Sequence, residues 1–297
     1  MRVLGCVVGE AQLRRWEAHL APDLQPFFVD DEALALLGDG LRWTREEFRA
    51  MNYAPSLRDT FAVYHVPSEV PWVVLLSERT FRALGTCVQS GLLRLQRDVW
   101  RGGIFDVTDV REALGAADVA TIDATEEGLF VLWPSVWRTL SVGARDVLLR
   151  RFLTEDRLEH RGMELDAARW DEVDVALPGV RALAGTFASE SGANCLSTVV
   201  AAFGAAHLAE VWLHGGPFER WLTRAARQVE ALDMLGSVLV WRDEHARVQH
   251  AAVSLGGGWV FQKDAQGWFA PRQIVRLDDL RERWAQPGWT LEAWRRS

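Results

Sequence analysis

The chain has 297 residues, with 33 Lys and Arg against 41 Asp and Glu for a formal net charge of -8. That balance excludes a mainly electrostatic nucleic-acid binder, which needs clustered cations for phosphate contact. A content of 49% hydrophobic and 25% charged residues likewise excludes a disordered chain.

In chain order, Arg2–Val8 reads as a buried strand and "AQLRRWEAHL" as a helix. Thr44 and Glu47 have capping-box spacing and predict a helix running to about Asn52. "DTFAVYHV" and "PWVVLL" read as strands, and "SERTFRALGTCVQSGLLRLQRDVW" as a helix broken near Gly85. "GLFVLW" reads as a strand and "GARDVLLRRFL" as a helix. The stretch from Thr154 to Asp174 is charge-rich and poorly periodic and reads as a connection. Beyond it, helices over roughly 178–187, 195–206 and 218–228 precede the strands "GSVLVWR", "VQHAAVSL", "GWVFQK" and "QIVRL", with a closing helix over "DDLRERW". Helices followed by an antiparallel sheet predict an α+β C-terminal domain over 166–297, after a separate mixed α/β domain over 1–165.

The three cysteines, Cys6, Cys87 and Cys195, do not make a disulfide framework, and no C-x-x-C pair marks a zinc site, so no metal or cofactor is expected. Only five residues precede Cys6 in its L-G-C box, too few for an export signal. No run approaches the ~18 apolar residues of a membrane span. A cytoplasmic protein without membrane contact is the expectation, the alternative being export by a route that the sequence does not show. Fifteen Trp against two Tyr supply large apolar surfaces, and the Trp-rich N-terminal half is the expected place for a protein partner.

Cys195 stands in the first turn of an amphipathic helix, behind the capping-type residue Asn194, with Leu196, Val199, Val200 and Phe203 forming the apolar stripe. A helix N-terminus favours a thiolate, and the thiolate is the nucleophile. In the hairpin "QHAAVSLGGGWVFQK", period-2 alternation puts His250, Ala252 and Ser254 on one face. A three-residue loop at Gly256–Gly258 brings Gln262 onto that face, whereas a two-residue loop brings Lys263. Cys195, His250 and Gln262 then read as nucleophile, base and orienting group.

The order "NCLSTVV", "LGSVLVW", "HAAVSLGGGWVFQ" resembles the NlpC-type papain-like cysteine peptidases across roughly residues 177–280. The resemblance implies a papain-like C-terminal domain acting on an amide or ester, such as a peptidoglycan-type peptide. It assigns Cys195, His250 and Gln262 the catalytic roles and sets Asn194 where the family's aspartate meets substrate; Trp259, at the start of the second hairpin strand, is a further expected substrate contact. Several positions depart from the family: Ser237 and Asn194 replace its aspartates, Gln262 replaces its second histidine, and no tyrosine follows Tyr64. Two alternatives carry over from the same residues. One is a non-catalytic papain-like domain serving as a binding or interaction module, and the other is an acyltransferase using the same thiol.

Overall fold

The computed structural model describes residues 2–38, 42–50, 57, 70–111, 114–120, 122–154 and 157–296. The architecture is α+β, and the chain divides into two compact units, Glu10–Phe152 and Met1–Gly9 with Leu153–Ser297. The sequence-based division at 165/166 lies elsewhere, and the N-terminal hairpin belongs with the second unit. That hairpin consists of β1 (Arg2–Val3) and β2 (Cys6–Val7), joined by Leu4 and Gly5 in the left-handed region at φ 49° and 75°. The expected single strand is thus bent back on itself. Its turn is tied down by the His160 N–H, which donates to the Leu4 carbonyl at 2.9 Å. A Cβ at Gly5 would stand 2.3 Å from the His160 oxygen, so the close approach needs glycine.

The first unit opens with α1 (Glu10–Leu20), β3 (Leu24–Val29), α2 (Asp31–Leu37), β4 (Arg42–Thr44) and α3 (Arg45–Ala50). It continues with β5 (Trp72–Ser77), α4 (Glu78–Arg82) and α5 (Thr86–Asp98). The order β3-β5-β4 forms an antiparallel sheet. The capping box is formed as predicted: Glu47 N–H donates to Thr44 Oγ1 at 3.1 Å and Thr44 N–H to Glu47 Oε2 at 2.8 Å. The helix break falls at Gly85, the N-cap of α5. Buried Gln96 on α5 bridges both backbone groups of Phe28, accepting from its N–H at 2.8 Å and donating to its carbonyl at 2.7 Å, which locks helix to sheet. A short hairpin of β6 (Ile104–Asp106) and β7 (Leu129–Val131) follows α5. Between the strands stand α6 (Val107–Arg111) and α7 (Ala116–Val119), and α8 (Pro134–Thr139) and α9 (Val142–Thr154) come after them. The predicted strand "DTFAVYHV" lies outside the described residues.

The second unit is built on a seven-stranded antiparallel sheet, order β8-β13-β12-β11-β10-β14-β9. Its elements are α10 (Ala167–Ala176), α11 (Val180–Leu183), β8 (Thr186–Phe187), α12 (Cys195–Ala202), α13 (Gly215–Ala225) and β9 (Ala226–Val229). After them come β10 (Ser237–Arg242), β11 (Val248–Gly256), β12 (Trp259–Lys263), β13 (Pro271–Arg276), α14 (Leu277–Arg283) and β14 (Thr290–Arg296). The expected connection at 154–174 contains most of α10. Trp170, Val173 and Leu177, at i, i+3 and i+7, give that charged stretch a narrow apolar stripe that packs on the sheet.

Both faces of the sheet are covered. On one, Ala251, Val253, Leu255, Phe261 and Val240 meet residues of α10, α11, α12 and α13. On the other, Ala252, Val260, Leu239, Trp241 and Val275 meet Leu277 and Leu280 of α14. Among the described residues no helix is long and apolar enough to cross a membrane.

Candidate functional site

Asn194 starts α12 through a reciprocal capping box. Its Oδ1 accepts from the Ser197 N–H at 3.0 Å, and its own N–H donates to Ser197 Oγ at 3.0 Å. Its Nδ2 donates to the Leu213 carbonyl at 2.7 Å. Both polar ends of this buried amide are engaged in holding the helix start and the following loop. Asn194 is a structural cap rather than the substrate contact expected of it.

The cap places Cys195 at the head of α12, partly buried against the apolar cluster of Leu196, Val199, Val238 and Ala251. Burial pushes its thiol up to about 11, although backbone groups of Ala251 and Leu196 and the Lys263 cation pull the other way. At neutral pH the group is a protonated thiol.

The three-glycine turn sets the register of the hairpin. Gly256, Gly257 and Gly258 all have positive φ, at 72°, 64° and 77°. Gly256 pairs with Trp259, and a bulge before it shifts the ladder so that Ser254 pairs with Val260 and Val253 with Phe261. Continued along the strands, this register sets Ala252 opposite Gln262 and puts Gln262 on the same face as His250. Beyond the bulge it is the alignment expected of a three-residue glycine loop, although at the turn Gly256 rather than Leu255 opposes Trp259 and only Gly257 and Gly258 connect the strands.

That face is the one turned away from Cys195. His250 pairs with Trp241, and Trp241 belongs to the cluster under α14. Ala251, the next residue, belongs to the cluster under α12 that contains Cys195. Successive residues of a strand point to opposite faces, so the sheet itself stands between the thiol and the imidazole. The expected nucleophile and base are not brought together.

His250 is fully buried and lies parallel to the Trp284 ring, with centroids 4.0 Å apart and 9° between planes, while Trp241 lies 5.3 Å away. Neither ring nitrogen has a hydrogen-bond partner. Burial, aided by the Arg283 cation, pushes the imidazole down to about 3. Gln262 does not orient it: its Nε2 donates to Gln273 Oε1 at 3.1 Å, and its Oε1 has no partner. Trp259, expected against the substrate, is 7% exposed, packed among Val253, Phe261 and Ile274 and covered by Arg276 at 3.6 Å from its ring centroid. Trp259 is a core residue.

Lys263 takes the position facing α12. It is fully buried, and its Nζ donates to the carbonyls of Ala265 and, at 2.8 Å, Gly267. These bonds shape the loop after β12. The same loop is pinned to the segment before Cys195 by Trp268 N–H on Ser191 Oγ at 3.0 Å and Gly192 N–H on the Gln266 carbonyl at 2.8 Å.

No protein-family model, curated protein or solved structure matches this chain.

Sequence reasoning passed over Asp264, Arg283 and Trp284, which gather around His250. Asp264 follows β12 and, by the same register, lies level with His250. Its side chain is 7% exposed and stands 3.3 Å from Arg283 Nε. Burial raises its pKa, against the pull of Arg283, the neighbouring Gln262 amide, Arg157 and Lys263. Extending the hairpin register past Gln262 would have brought Asp264 to notice. Nothing local to residues 277–284 reveals that α14 folds over it.

In the first unit a cavity of about 440 Å³ has an apolar floor including Leu93, Phe130 and Trp133, with Cys87 among its walls. Its rim cations are already matched, Arg82 to Glu78 and Asp123, and Arg94 to Glu127. No group of three or more His, Cys, Asp or Glu suited to a metal occurs among the described residues.

Proposed function

We propose that the second unit is a non-catalytic binding or interaction module. Its helix-then-sheet order is compatible with the papain-like resemblance, but the thiol and the imidazole are not paired in it. One observation carries this reading: His250 and Cys195 lie on opposite faces of the sheet. A general base must reach the proton it takes at hydrogen-bond distance, and a strand's backbone intervenes here. The protonated thiol and the depressed imidazole support the same reading, because an active pair needs both groups poised near neutral pH. The engaged Asn194 and the core position of Trp259 also leave the expected substrate contacts without a role in catalysis.

Exposed Cys87 is an internal control for thiol reactivity. With iodoacetamide at pH 7, the module reading predicts that Cys87 is alkylated first and that Cys195 lags at least ten-fold behind in the folded chain. Cys195→Ala is expected to leave any binding activity intact. Preferential alkylation of Cys195, together with a thiol-dependent amidase or esterase activity lost in Cys195→Ala, would restore the hydrolase.

A further inference from the structure

Several polar side chains gather in a buried cluster under the end of α14. His250 and Gln262 are fully buried, and Asp264 is nearly so. The Asp264 carboxylate is met by Arg283 Nε at 3.3 Å and by the neighbouring Gln262 amide, whereas His250 Nδ1 and Nε2, Gln262 Oε1 and Trp284 Nε1 have no hydrogen-bond partner. Buried polar groups in folded proteins are rarely left so, and each such group calls for an explanation. The set is dominated by acceptors: a carboxylate, an amide oxygen and one nitrogen of a neutral imidazole. It is walled by parallel aromatic planes, with Trp284 on His250 and Trp289 stacked beyond Trp284 at 6.2 Å. Flat, charge-bearing donors suit such surroundings, because a guanidinium forks onto a carboxylate and stacks on aromatic faces. Arg283 already offers a guanidinium nitrogen to Asp264, yet its side chain is 26% exposed and comes from the last turn of a seven-residue helix. The other cations felt by Asp264 are held elsewhere, Arg157 over the Phe269 ring at 4.6 Å and Lys263 by backbone carbonyls.

We propose that Asp264, His250 and Gln262 form a binding site for a small guanidinium or amidinium ligand, in which Arg283 is an intramolecular occupant and Trp284 the cover. A ligand would displace Arg283 from Asp264, and the neutral imidazole and the Gln262 oxygen would accept its remaining N–H groups. The proposal deepens the binding-module reading and rests on it for the role of His250. The two fail separately, because thiol alkylation tests the one and cation binding the other.

The experiment is titration of the full chain with methylguanidine, followed by calorimetry and by tryptophan fluorescence. Arg283→Gln removes the occupant and is expected to bind methylguanidine at least ten-fold more tightly than the wild type, and the added Asp264→Asn exchange to abolish the gain. Methylammonium, a point charge without the planar fork, is expected to bind at least ten-fold more weakly than methylguanidine. Arg283→Lys, which keeps the charge at the helix end, is the second variant should Arg283→Gln not fold, and is expected to bind with intermediate affinity. Wild-type-like weak binding by every folded Arg283 variant, or a gain that survives Asp264→Asn, would overturn the proposal. Equal affinity for methylammonium would overturn the guanidinium assignment.

Discussion

At the scale of single residues, His250 departs furthest from its expected role. A catalytic imidazole carries a partner on one nitrogen and a substrate or nucleophile on the other. His250 has neither, and its ring is used as a flat apolar plate between Trp241 and Trp284. This has a consequence for stability. The imidazole is held near 3 when folded against 6.5 when exposed, so the unfolded chain takes up its proton first as the pH falls. Its contribution is therefore complete above 6.5 and is lost as the pH drops toward 3. Between 6.5 and pH 5 the loss amounts to about 2 kcal/mol. His250→Phe keeps the stacked plate and removes the titration. Urea midpoints at pH 8 and pH 5 are expected to show the variant more stable than the wild type, with the gap widening at pH 5. A gap that stays constant, or a variant that loses stability as the pH falls, would mean that the ring is not a buried neutral plate.

At the scale of elements, the hairpin and the α12 cap were legible because their local chemistry is specific. Three successive glycines can all take positive φ, and that choice decides which side chains share a face. Asn194 followed by an apolar stripe places a helix start. The face of the sheet that α12 covers was not legible. β11 is buried on both sides, with Ala251 and Val253 toward one set of helices and Ala252 toward α14, so neither face is left to solvent to indicate direction. Alternation tied His250 to Gln262 without tying either to Cys195. The turn itself can be tested. A methyl group at Gly257 would demand φ +64° of a residue with a Cβ and would press on Arg169 Nη2 at 3.3 Å. Gly257→Ala is expected to cost about 1 kcal/mol or more. Gly215→Ala, at the open start of α13 with nothing near its added carbon, is expected to be close to neutral in the same thermal melts. Equal melting temperatures for the two variants would show that the turn is not held in the left-handed region.

At the scale of the whole molecule, the second unit is a sheet with two working faces whose properties differ. On the helix-rich face Ser191 and the Gly192 N–H tie the segment before Cys195 to residues 266–268, the buried lysine holds the loop after β12, and the capping asparagine reaches the Leu213 carbonyl. The α14 face gathers a carboxylate, an imidazole and an amide among tryptophans. The linear order of Cys, His and Gln runs through both faces without showing the division, because sequence order fixes neighbours along a strand and not the side a helix packs on. The helix-then-sheet order of the unit was legible from periodicity. The inclusion of the first nine residues was not, since it rests on the contact of Gly5 and Leu4 with His160, more than 150 positions away. The separation of thiol and imidazole is measured most directly by an NMR pH titration of the His250 ring in the wild type and in Cys195→Ala. The predicted result is an imidazole that titrates near 3 in both proteins, unmoved by loss of the sulfur. A near-neutral titration that shifts in Cys195→Ala would place the two groups in contact and contradict this account.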